Sequence, residues 1–332
     1  MISIYDVDDV FLGGNMRMMA QIMKQRGWRV EVPYPGSYNM LITREDGSTI
    51  SSFGACPPTT SYAAGYITDD KYATYRYLQS IGVNQLETIR IHELTDDARE
   101  FAARHNKFVV KPVDGSHGQG VYVNVTTNNI EEVIKKSATF SSSGTVLLQE
   151  QFQHVPSKDI RVTVLNGSVI GALERIPASV TGDGEHTVTE LIKIENATIR
   201  GVPYVDKLAR IDTDSACQYL GEKMNQVPKK MEHFQVVGIG NYGAGGALKD
   251  VTDTMPAWMY EQALAVSKQL GIVSAGIDYM VAPTTDKYTH DNISDVALIE
   301  INKNPALFMH DIVDGSDRVI RKYIDYLETL DA

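Results

Sequence analysis

One short segment joins a lysine to a cluster of glycines. An apolar stretch ends at Lys111, and three glycines follow at positions 115, 118 and 120. Such a loop can turn backbone N–H groups toward phosphate oxygens, because glycine permits close approach and unusual dihedral angles. The lysine adds a positive charge for the same anion. The segment predicts a phosphate site that is not a P-loop, since no G-x-x-x-x-G-K-[ST] motif occurs. A purely structural glycine hairpin is the alternative.

Three side chains with oxygen donors lie nearer the C-terminal end. Glu300 and Asn302 are two residues apart in an apolar stretch, so on a strand both point to one face, and Ile299 and Ile301 point to the other. Asp278 stands in a second apolar stretch, which we expect to form a neighbouring strand. Two carboxylates and an amide oxygen suit Mg²⁺ that bridges nucleotide phosphates. A solvated strand face is the alternative explanation.

Residues Gly238 to Gly243 carry the letters of the dinucleotide motif G-x-G-x-x-G. The context of that motif is missing, because the residues that follow do not open an apolar-periodic helix. A substrate loop with spare N–H donors for an oxyanion or phosphate is the better interpretation.

Composition limits the classes of protein that fit. The 332 residues include 42 acidic and 31 basic side chains, a net charge of −11, and 43% of the residues are hydrophobic. This describes a globular chain of about two domains and disfavours broad binding to nucleic acid or an anionic membrane. The two cysteines exclude a disulfide framework. No apolar stretch approaches the about 20 residues of a membrane span, and the acidic N-terminus does not resemble a signal peptide. We therefore expect a cytoplasmic protein.

Hydrophobic periodicity predicts the elements that position these residues. Methionines and alanine at 16, 19, 20 and 23 have the spacing of a buried helix, which Gly27 ends. Asp46-Gly47 and Asn166-Gly167 indicate hairpins, and a helix capped by Asp69 and ended by Gly82 carries Lys71. The further predicted elements are strands at 108–112, 121–125, 146–150, 276–281 and 296–301, and helices at 131–136, 187–196, 257–270 and 318–330.

Motifs spread over residues 50–325 resemble those of ATP-grasp ligases. The motifs are similar to those in the ATP-grasp portion of cyanophycin synthetase and of the bifunctional glutamate-cysteine ligase/glutathione synthetase. The Gly-Asp-Gly-x-His-Thr stretch at 182–187 is specific to this branch, whereas the lysines and the Glu-x-Asn element occur throughout the superfamily. In chain order the motifs are Asp70-Lys71, Val110-Lys111-Pro112, Leu148 to Phe152, Asp159 to Val162, Glu174 to Ala178, Gly182 to Ile192, Asn241 to Gly246, Asp250 to Asp253, Gly276 to Asp278 and Glu300 to His310.

The resemblance implies a role for each matching residue. Phosphate binding falls to two lysines and a flexible glycine loop, adenine binding to a hinge after the loop, and ribose binding to one aspartate. Arginines near an acyl phosphate and a substrate-facing loop are implied as catalytic. The residues are Lys71, Lys111, Gly115, Ser116, Gly118, Gly120, Glu150, Gln151, Phe152 and Asp159 for ATP; Asp278, Glu300 and Asn302 for Mg²⁺; and Arg161, Arg175, Asn241, Gly245 and Gly246 for catalysis.

Some of these residues also have structural explanations. Lys71 suits an exposed lysine at a helix start, Arg161 suits a pair with a structural carboxylate, and Asp159 suits a surface turn. If the implied roles hold, we expect Lys71, Lys111, Arg161 and Arg175 to build a positive cleft within the acidic protein.

The resemblance also implies the fold, the reaction and the partners. We expect an α/β (α+β) ATP-grasp fold with a small N-terminal α/β domain at 1–68, a first subdomain at 69–150, and a second at 151–332 that carries an insertion at about 178–230. The implied reaction joins a carboxylate to an amine on an amino acid or short peptide through an acyl phosphate, as in acid–amino acid ligases. It uses ATP and two Mg²⁺ ions, with Mn²⁺ as a substitute. We expect small-molecule substrates, no nucleic acid or membrane partner, and a homo-oligomer by analogy. A catalytically silent nucleotide-binding regulatory module and an enzyme with a non-amine acceptor are the alternatives.

Overall fold

The computed structural model describes most of the chain. The described residues are 5–6, 13–115, 118–154, 157–202, 206–282 and 295–331.

Helices occur throughout the described residues. Ten α-helices are present there: α1 (Gly14–Gln25), α2 (Tyr62–Asp69), α3 (Lys71–Ser80), α4 (Asp96–Arg104), α5 (Ile130–Ala138), α6 (Val188–Thr198), α7 (Thr213–Leu220), α8 (Ala257–Leu270), α9 (Phe308–Asp314) and α10 (Arg318–Glu328). None of these helices combines the length and the apolar character needed to cross a lipid bilayer.

Fifteen strands lie in the same described residues and form antiparallel pairs. They are β1 (Tyr5–Asp6), β2 (Arg29–Val32), β3 (Asn39–Thr43), β4 (Thr49–Phe53), β5 (Thr88–Ile91), β6 (Phe108–Pro112), β7 (Tyr122–Val125), β8 (Val146–Glu150), β9 (Lys158–Leu165), β10 (Ser168–Ile176), β11 (Ser179–Thr181), β12 (His233–Gln235), β13 (Ala247–Asp250), β14 (Ser274–Val281) and β15 (Val296–Asn302). The sheet orders are β1-β2-β3-β4, β5-β8-β6-β7, β13-β10-β9-β14-β15 and the pair β11-β12.

The five-stranded sheet supplies most of the charged residues discussed below. In β9, Ile160, Val162 and Val164 alternate with polar side chains and are fully buried against α8 on one face. The intervening residues, Asp159 and Arg161, therefore lie on the opposite face. The period of two in this strand separates an apolar core from a polar face.

The sheet β5-β8-β6-β7 is covered by α4 and α5. Phe101, Phe108, Val110 and Leu148 are buried in this core. The glycine segment connects β6 to β7, so it leaves the sheet at the end of the strand that carries Lys111.

The N-terminal sheet shares its core with the C-terminal helices. Met19 and Val30 belong to the same buried cluster as Phe308 and Tyr323. The Ser52 hydroxyl lies 2.8 Å from the Tyr323 hydroxyl, and Asn15 binds the main chain of Pro305 and Phe308. These contacts attach the N-terminal unit to the segment that follows the Glu-x-Asn element.

Several predicted elements are confirmed, and one helix cap is wrong. The hairpins at Gly47 and Gly167 and the helix ending at Gly271 are present. Asp70, not Asp69, caps the helix that begins at Lys71, because its carboxylate accepts from two backbone N–H groups of the first turn. Helices α2, α4, α7 and α9 are absent from the sequence prediction. The division at 68/69 and 150/151 stays a prediction, and α2 spans the first of these boundaries.

Candidate active site

Alternating charges cross one face of the five-stranded sheet. Arg175 on β10 is the register partner of Asp159 on β9, and Arg161 on β9 is the partner of Asp278 on β14. Arg161 donates to both oxygens of Asp278, at 2.7 and 2.8 Å. Arg175 bridges the two acids, since Nη2 lies 2.6 Å from Asp159 and 3.0 Å from Asp278. The predicted alternative for Arg161, pairing with a carboxylate, is what this structure contains.

Asp278 is a buried carboxylate that stays ionised. Its side chain is 6% exposed, and burial by itself raises the pKa of a carboxyl group. The guanidiniums of Arg161 and Arg175 outweigh burial and hold the pKa of Asp278 below its ordinary value. Burial raises the pKa of Asp159, which faces a guanidinium on one side and the charge of Asp278 on the other. The ribose role of Asp159 stays a prediction, because here its carboxylate binds Arg175.

Glu300 and Asn302 lie beside Asp278 on the edge strand. Asp278 pairs in register with Glu300, and the Asn302 amide donates to Asp278 at 3.1 Å. Ile301 lies on the face opposite Glu300 and Asn302, as predicted, and joins the apolar core behind the sheet. Ile299 does not join that core. It packs near Phe152 in another cluster, because the strand register shifts between residues 278 and 279.

The chemistry of this donor set fits a hard divalent cation. Two carboxylates and one amide oxygen are ligands that Mg²⁺ accepts. Glu300 is the more available ligand, since its side chain is 30% exposed and its ion pair with Lys71 is long at 3.4 Å. Asp278 accepts from Arg161, Arg175 and Asn302, so it would exchange a contact to bind a metal. Among the described residues, no group of three His, Cys, Asp or Glu side chains forms a metal cluster.

Two lysines lie near Glu300, and one of them, Lys71, pairs with it. Lys71 begins α3, and its backbone N–H binds the Val113 carbonyl at the end of β6. This contact brings Lys71 toward Lys111, and the Lys71 amine reaches Glu300 and the Gly115 carbonyl. The two predicted phosphate lysines and a predicted metal ligand therefore lie in one cluster.

Lys111 is a buried cation that forms no ion pair with a carboxylate among the described residues. Only 7% of the residue is exposed, and its amine donates to the Gln149 side chain at 2.9 Å. Burial lowers the pKa of Lys111 to about 8, Glu300 opposes this shift, and Lys71 adds to it. The folded protein thus holds an ammonium group whose charge is poorly compensated, which favours a bound anion.

The charges in the cleft sum to one positive charge when all are ionised. Four cations face three carboxylates in this part of the described structure: Lys71, Lys111, Arg161 and Arg175 against Asp159, Asp278 and Glu300. The whole chain has a net charge of −11. These seven side chains therefore carry an excess positive charge within an acidic chain, and the positive cleft itself stays a prediction.

The glycine loop contacts the loop around Ile239. Gly118 has a φ of +76°, and a Cβ there would overlap the Ile239 side chain, so both backbone conformation and space favour glycine. The Gly120 carbonyl accepts from Ser137 at 2.8 Å. Ser116, predicted to bind phosphate, lies outside the described residues.

The predicted adenine hinge follows β8. The Glu150 carboxylate accepts from the Glu87 N–H at 3.3 Å. The Gln151 side chain accepts from the Asn124 N–H at 2.7 Å and donates to its side chain at 3.1 Å. Asn124 was not predicted, and its left-handed φ of +57° is not evident from sequence. The side chain of Gln151 therefore ties the hinge to β7.

An apolar cluster that the motifs did not reveal surrounds Phe152. Phe152 and Leu86 are 6% and 5% exposed, and the half-buried Met280 and Ile299 pack against them. The cluster lies next to the hinge and to Glu300, with which Ile299 is contiguous. Apolar residues adjoining the metal-site strand are the sequence signal that could have indicated it.

The predicted substrate loop lies against the end of β10. Asn241 accepts from the Gly243 N–H at 2.9 Å and begins a short 3₁₀ turn. A Cβ at Gly240 would overlap the Arg175 carbonyl, and one at Gly246 would lie 2.9 Å from the Ile176 carbonyl. The loop leads into β13 and not into a helix, which agrees with the interpretation that excluded a dinucleotide motif.

Comparisons with known proteins find similar sequences. Residues 83–191 match the family model described as the ATP-grasp domain of prokaryotic glutathione synthetase. The chain is 31% identical over 252 residues to cyanophycin synthetase of Crocosphaera subtropica, across 73% of this chain and 28% of that protein. It is 28% identical over 208 residues to the glutathione biosynthesis bifunctional protein GshAB of Streptococcus agalactiae, across 61% of this chain and 27% of that protein. The chain therefore spans little more than a quarter of these two relatives.

The fold has a solved counterpart. The bifunctional glutathione synthetase from Pasteurella multocida superposes with a TM-score of 0.63 at 22% identity, and covers 95% of this chain and 44% of that one. At this identity the likeness concerns the fold alone. Sequence and fold together show an ATP-grasp fold in this chain, which is similar to cyanophycin synthetase and to the bifunctional glutathione biosynthesis proteins.

Proposed function

We propose that this chain is an ATP-dependent ligase that joins a carboxylate to an amine through an acyl phosphate. The observation that carries the proposal is the ion pair of Lys71 with Glu300, close to the buried Lys111 and to the arginine-bound Asp278. Cations and oxygen donors from two sheets converge there. The relative named cyanophycin synthetase supports the same reaction class.

The first step transfers the γ-phosphoryl group. A carboxylate oxygen of the substrate attacks the γ-phosphorus, the bond to the bridging oxygen of ADP breaks, and ADP leaves. Lys71 and Lys111 stabilise the charge on the phosphoryl oxygens, which is mainly a task of positioning and electrostatics. Lys111 suits this role because its buried ammonium has no close carboxylate among the described contacts.

Metal binding belongs to the same proposal. Asp278, Glu300 and Asn302 are the residues that would hold one or two Mg²⁺ ions, with Mn²⁺ as a substitute. When bound, the metal neutralises part of the phosphate charge. Glu300 is the first residue available to it, because its partner Lys71 is also proposed to bind the phosphates.

The second step forms the amide. The amine nitrogen attacks the acyl carbon, inorganic phosphate leaves, and the proton lost by the amine passes to solvent. Arg161 and Arg175 hold the oxygens of the acyl phosphate with their bidentate guanidinium groups. Arg175 presently divides its donors between Asp159 and Asp278, so the incoming anion takes the place of one carboxylate.

Two loops exclude water from the intermediate in this proposal. The glycine loop contacts Ile239, and the loop at 241–246 contacts the strand end that carries Arg175. Water would hydrolyse an acyl phosphate, so a closed pair of loops preserves it for the amine.

Nucleotide recognition uses the hinge and its apolar cluster. We propose that adenine lies near Phe152, Met280 and Ile299, with the backbone of Glu150 and Gln151 beside its edge. Asp159 is the proposed ribose ligand once Arg175 turns to the phosphate. The names of the relatives favour an amino acid or short peptide as substrate, and a homo-oligomer is part of the proposal by analogy.

A panel assay tests the function. Purified protein is incubated with ATP, Mg²⁺ and each of the amino acids and short peptides, with hydroxylamine present or absent. We expect ADP release that depends on one carboxylate, an acyl hydroxamate with hydroxylamine, and a condensation product by mass with the right amine. ATP turnover without an amide product would indicate a non-amine acceptor. Nucleotide binding with no turnover for any carboxylate would support a silent regulatory module and refute the proposal.

A further inference from the structure

Arg200 is a buried arginine in the segment inserted between β10 and β13. Its side chain is 5% exposed and forms an ion pair with Glu195 at 2.8 Å. The guanidinium also donates to the carbonyls of Gly245 at 2.7 Å, Ala209 at 3.0 Å and Ser179 at 3.2 Å. Three separate backbone segments are thus joined by one side chain. The planar fork of arginine suits several fixed acceptors, and a lysine does not offer that geometry.

The neighbouring residues hold the same segments from a second direction. Asn196 donates to the Ile211 carbonyl at 2.9 Å and accepts from the Ile211 N–H at 2.8 Å. Gly245 has a φ of +93°, and a Cβ there would lie 2.6 Å from the Ile211 Cα. Residues near 209–211 therefore lie between the end of α6 and the substrate loop, in contact with both.

The branch-specific motif fixes the start of the same helix. Asp183 accepts from the backbone N–H groups of Glu185 and His186, both at 2.8 Å. Thr187 and Glu190 form a capping box at the first turn of α6. The motif at 182–187 thus begins the helix, and Arg200 lies just beyond its other end. The hydrogen bonds of the motif given above are made within the insertion.

The loop held by Arg200 touches the charged cleft on its other side. A Cβ at Gly240 would overlap the Arg175 carbonyl, and Gly246 lies against the Ile176 carbonyl. The Gly246 N–H binds the Asn241 carbonyl at 3.0 Å. A continuous line of contacts therefore runs from Arg200 through Gly245 to the backbone of Arg175.

We propose that Arg200 is a positioning residue that holds the 241–246 loop against the strand end of Arg175. It does not touch substrate in this proposal and acts through the Gly245 carbonyl. The expected effect on catalysis rests on the proposed function. Loss of Arg200 releases the loop, and water then reaches the acyl phosphate. ATP is consumed in that case without amide formation. The insertion then serves to keep phosphoryl transfer coupled to ligation.

The experiment compares Arg200→Met and Arg200→Lys with Arg210→Met, an exposed arginine of the same insertion. The first readout is the ratio of amide product to phosphate released, with the carboxylate–amine pair found in the panel assay. The second is the ATP dissociation constant, and the third is hydrogen exchange of the amides at 241–246. For Arg200→Met we expect a product ratio lower by about tenfold, ATP affinity within about twofold of wild type, and faster exchange in the loop.

Arg200→Lys retains the charge and separates positioning from folding. We expect it to recover part of the coupling and of the exchange protection, because a lysine can reach one of the three carbonyls. It also carries the test if Arg200→Met does not fold. Arg210→Met should match wild type in all three readouts.

The failure of this proposal differs from the failure of the proposed function. Product and phosphate that fall together, with an unchanged ratio and unchanged loop exchange, would assign Arg200 to general stability and overturn the positioning role. If wild type makes no product from any carboxylate–amine pair, the ligase assignment fails, and hydrogen exchange of the loop amides becomes the test of the role of Arg200. Faster hydrogen exchange at 241–246 in the Arg200 variants but not in Arg210→Met supports the positioning role. Equal exchange in all variants overturns it.

Discussion

Replacing Lys111 by methionine should stabilise the protein and abolish its ATP-dependent activity. A lysine pKa lowered from 10.5 to about 8 by burial means that the charged form costs the folded protein about 3 kcal/mol at neutral pH. Methionine keeps the unbranched apolar stem and removes this cost. It also leaves the buried Gln149 oxygen without its donor, which costs about 1–3 kcal/mol. We therefore expect Lys111→Met to be about 1 kcal/mol more stable than wild type at pH 7.

The pH dependence makes this prediction specific. Below pH 8 Lys111 is protonated in both the folded and the unfolded state, so the full cost of the buried charge is present. As the pH rises from about 8 toward 10.5, the folded protein loses the proton while the unfolded chain keeps it, and wild type gains stability. Between pH 7 and pH 10 wild type should gain about 2.5 kcal/mol relative to Lys111→Met.

Urea unfolding of both proteins at pH 7 and pH 10 measures the effect, with ADP release as the activity assay. The matched control is Lys135→Met, an exposed lysine paired with Glu131 on α5, which should change stability by less than about 0.5 kcal/mol and leave activity intact. A Lys111→Met protein that is clearly less stable at pH 7, by an amount that does not change with pH, would refute the reasoning from buried charge.

Three further predictions concern the cleft. ATP should bind about tenfold more weakly at pH 9 than at pH 7, because the Lys111 pKa near 8 requires proton uptake on binding; calorimetry in two buffers measures that uptake, and its absence would contradict the role of Lys111. Glu300→Gln should raise the Mg²⁺ concentration for half-maximal activity by about 10-fold or more, as loss of a carboxylate ligand weakens the site; an unchanged Mg²⁺ titration would remove Glu300 from the metal site. Gly118→Ala should lower activity because of its φ of +76° and its overlap with Ile239; adding Ile239→Ala should restore part of it, and no recovery would mean that the contact is unimportant.

The sequence alone determined much of the local structure, because the responsible signals are short in range. The methionine stripe of α1, the Asn166-Gly167 turn and the Gly271 helix end depend on neighbouring residues, and the structure contains each of them. The order of the motifs was also enough to indicate a resemblance to the ATP-grasp family, because that order can be read from the sequence without knowing how the segments pack.

Partners of the charged side chains could not be read from the sequence. Arg175 and Asp159 are 16 residues apart, and Arg161 and Asp278 are 117 apart. Their pairing depends on the register of β9 against β10 and β14, which is fixed when one face of the sheet buries its apolar residues. The bulge that turns Ile299 toward Phe152 is likewise a property of two paired strands.

Residue types and their order in the chain therefore determined which chemical groups the protein can use. These groups are lysines with a glycine loop, acidic residues with an amide, and arginines in two of the ATP-grasp motifs. Tertiary structure alone decided which charges meet, that Lys111 is buried beside Gln149, and that Arg200 reaches Gly245 across 45 residues. The physical reason is that burial and long-range pairing set the strength of an electrostatic interaction, and both arise only when separate segments close around a common core.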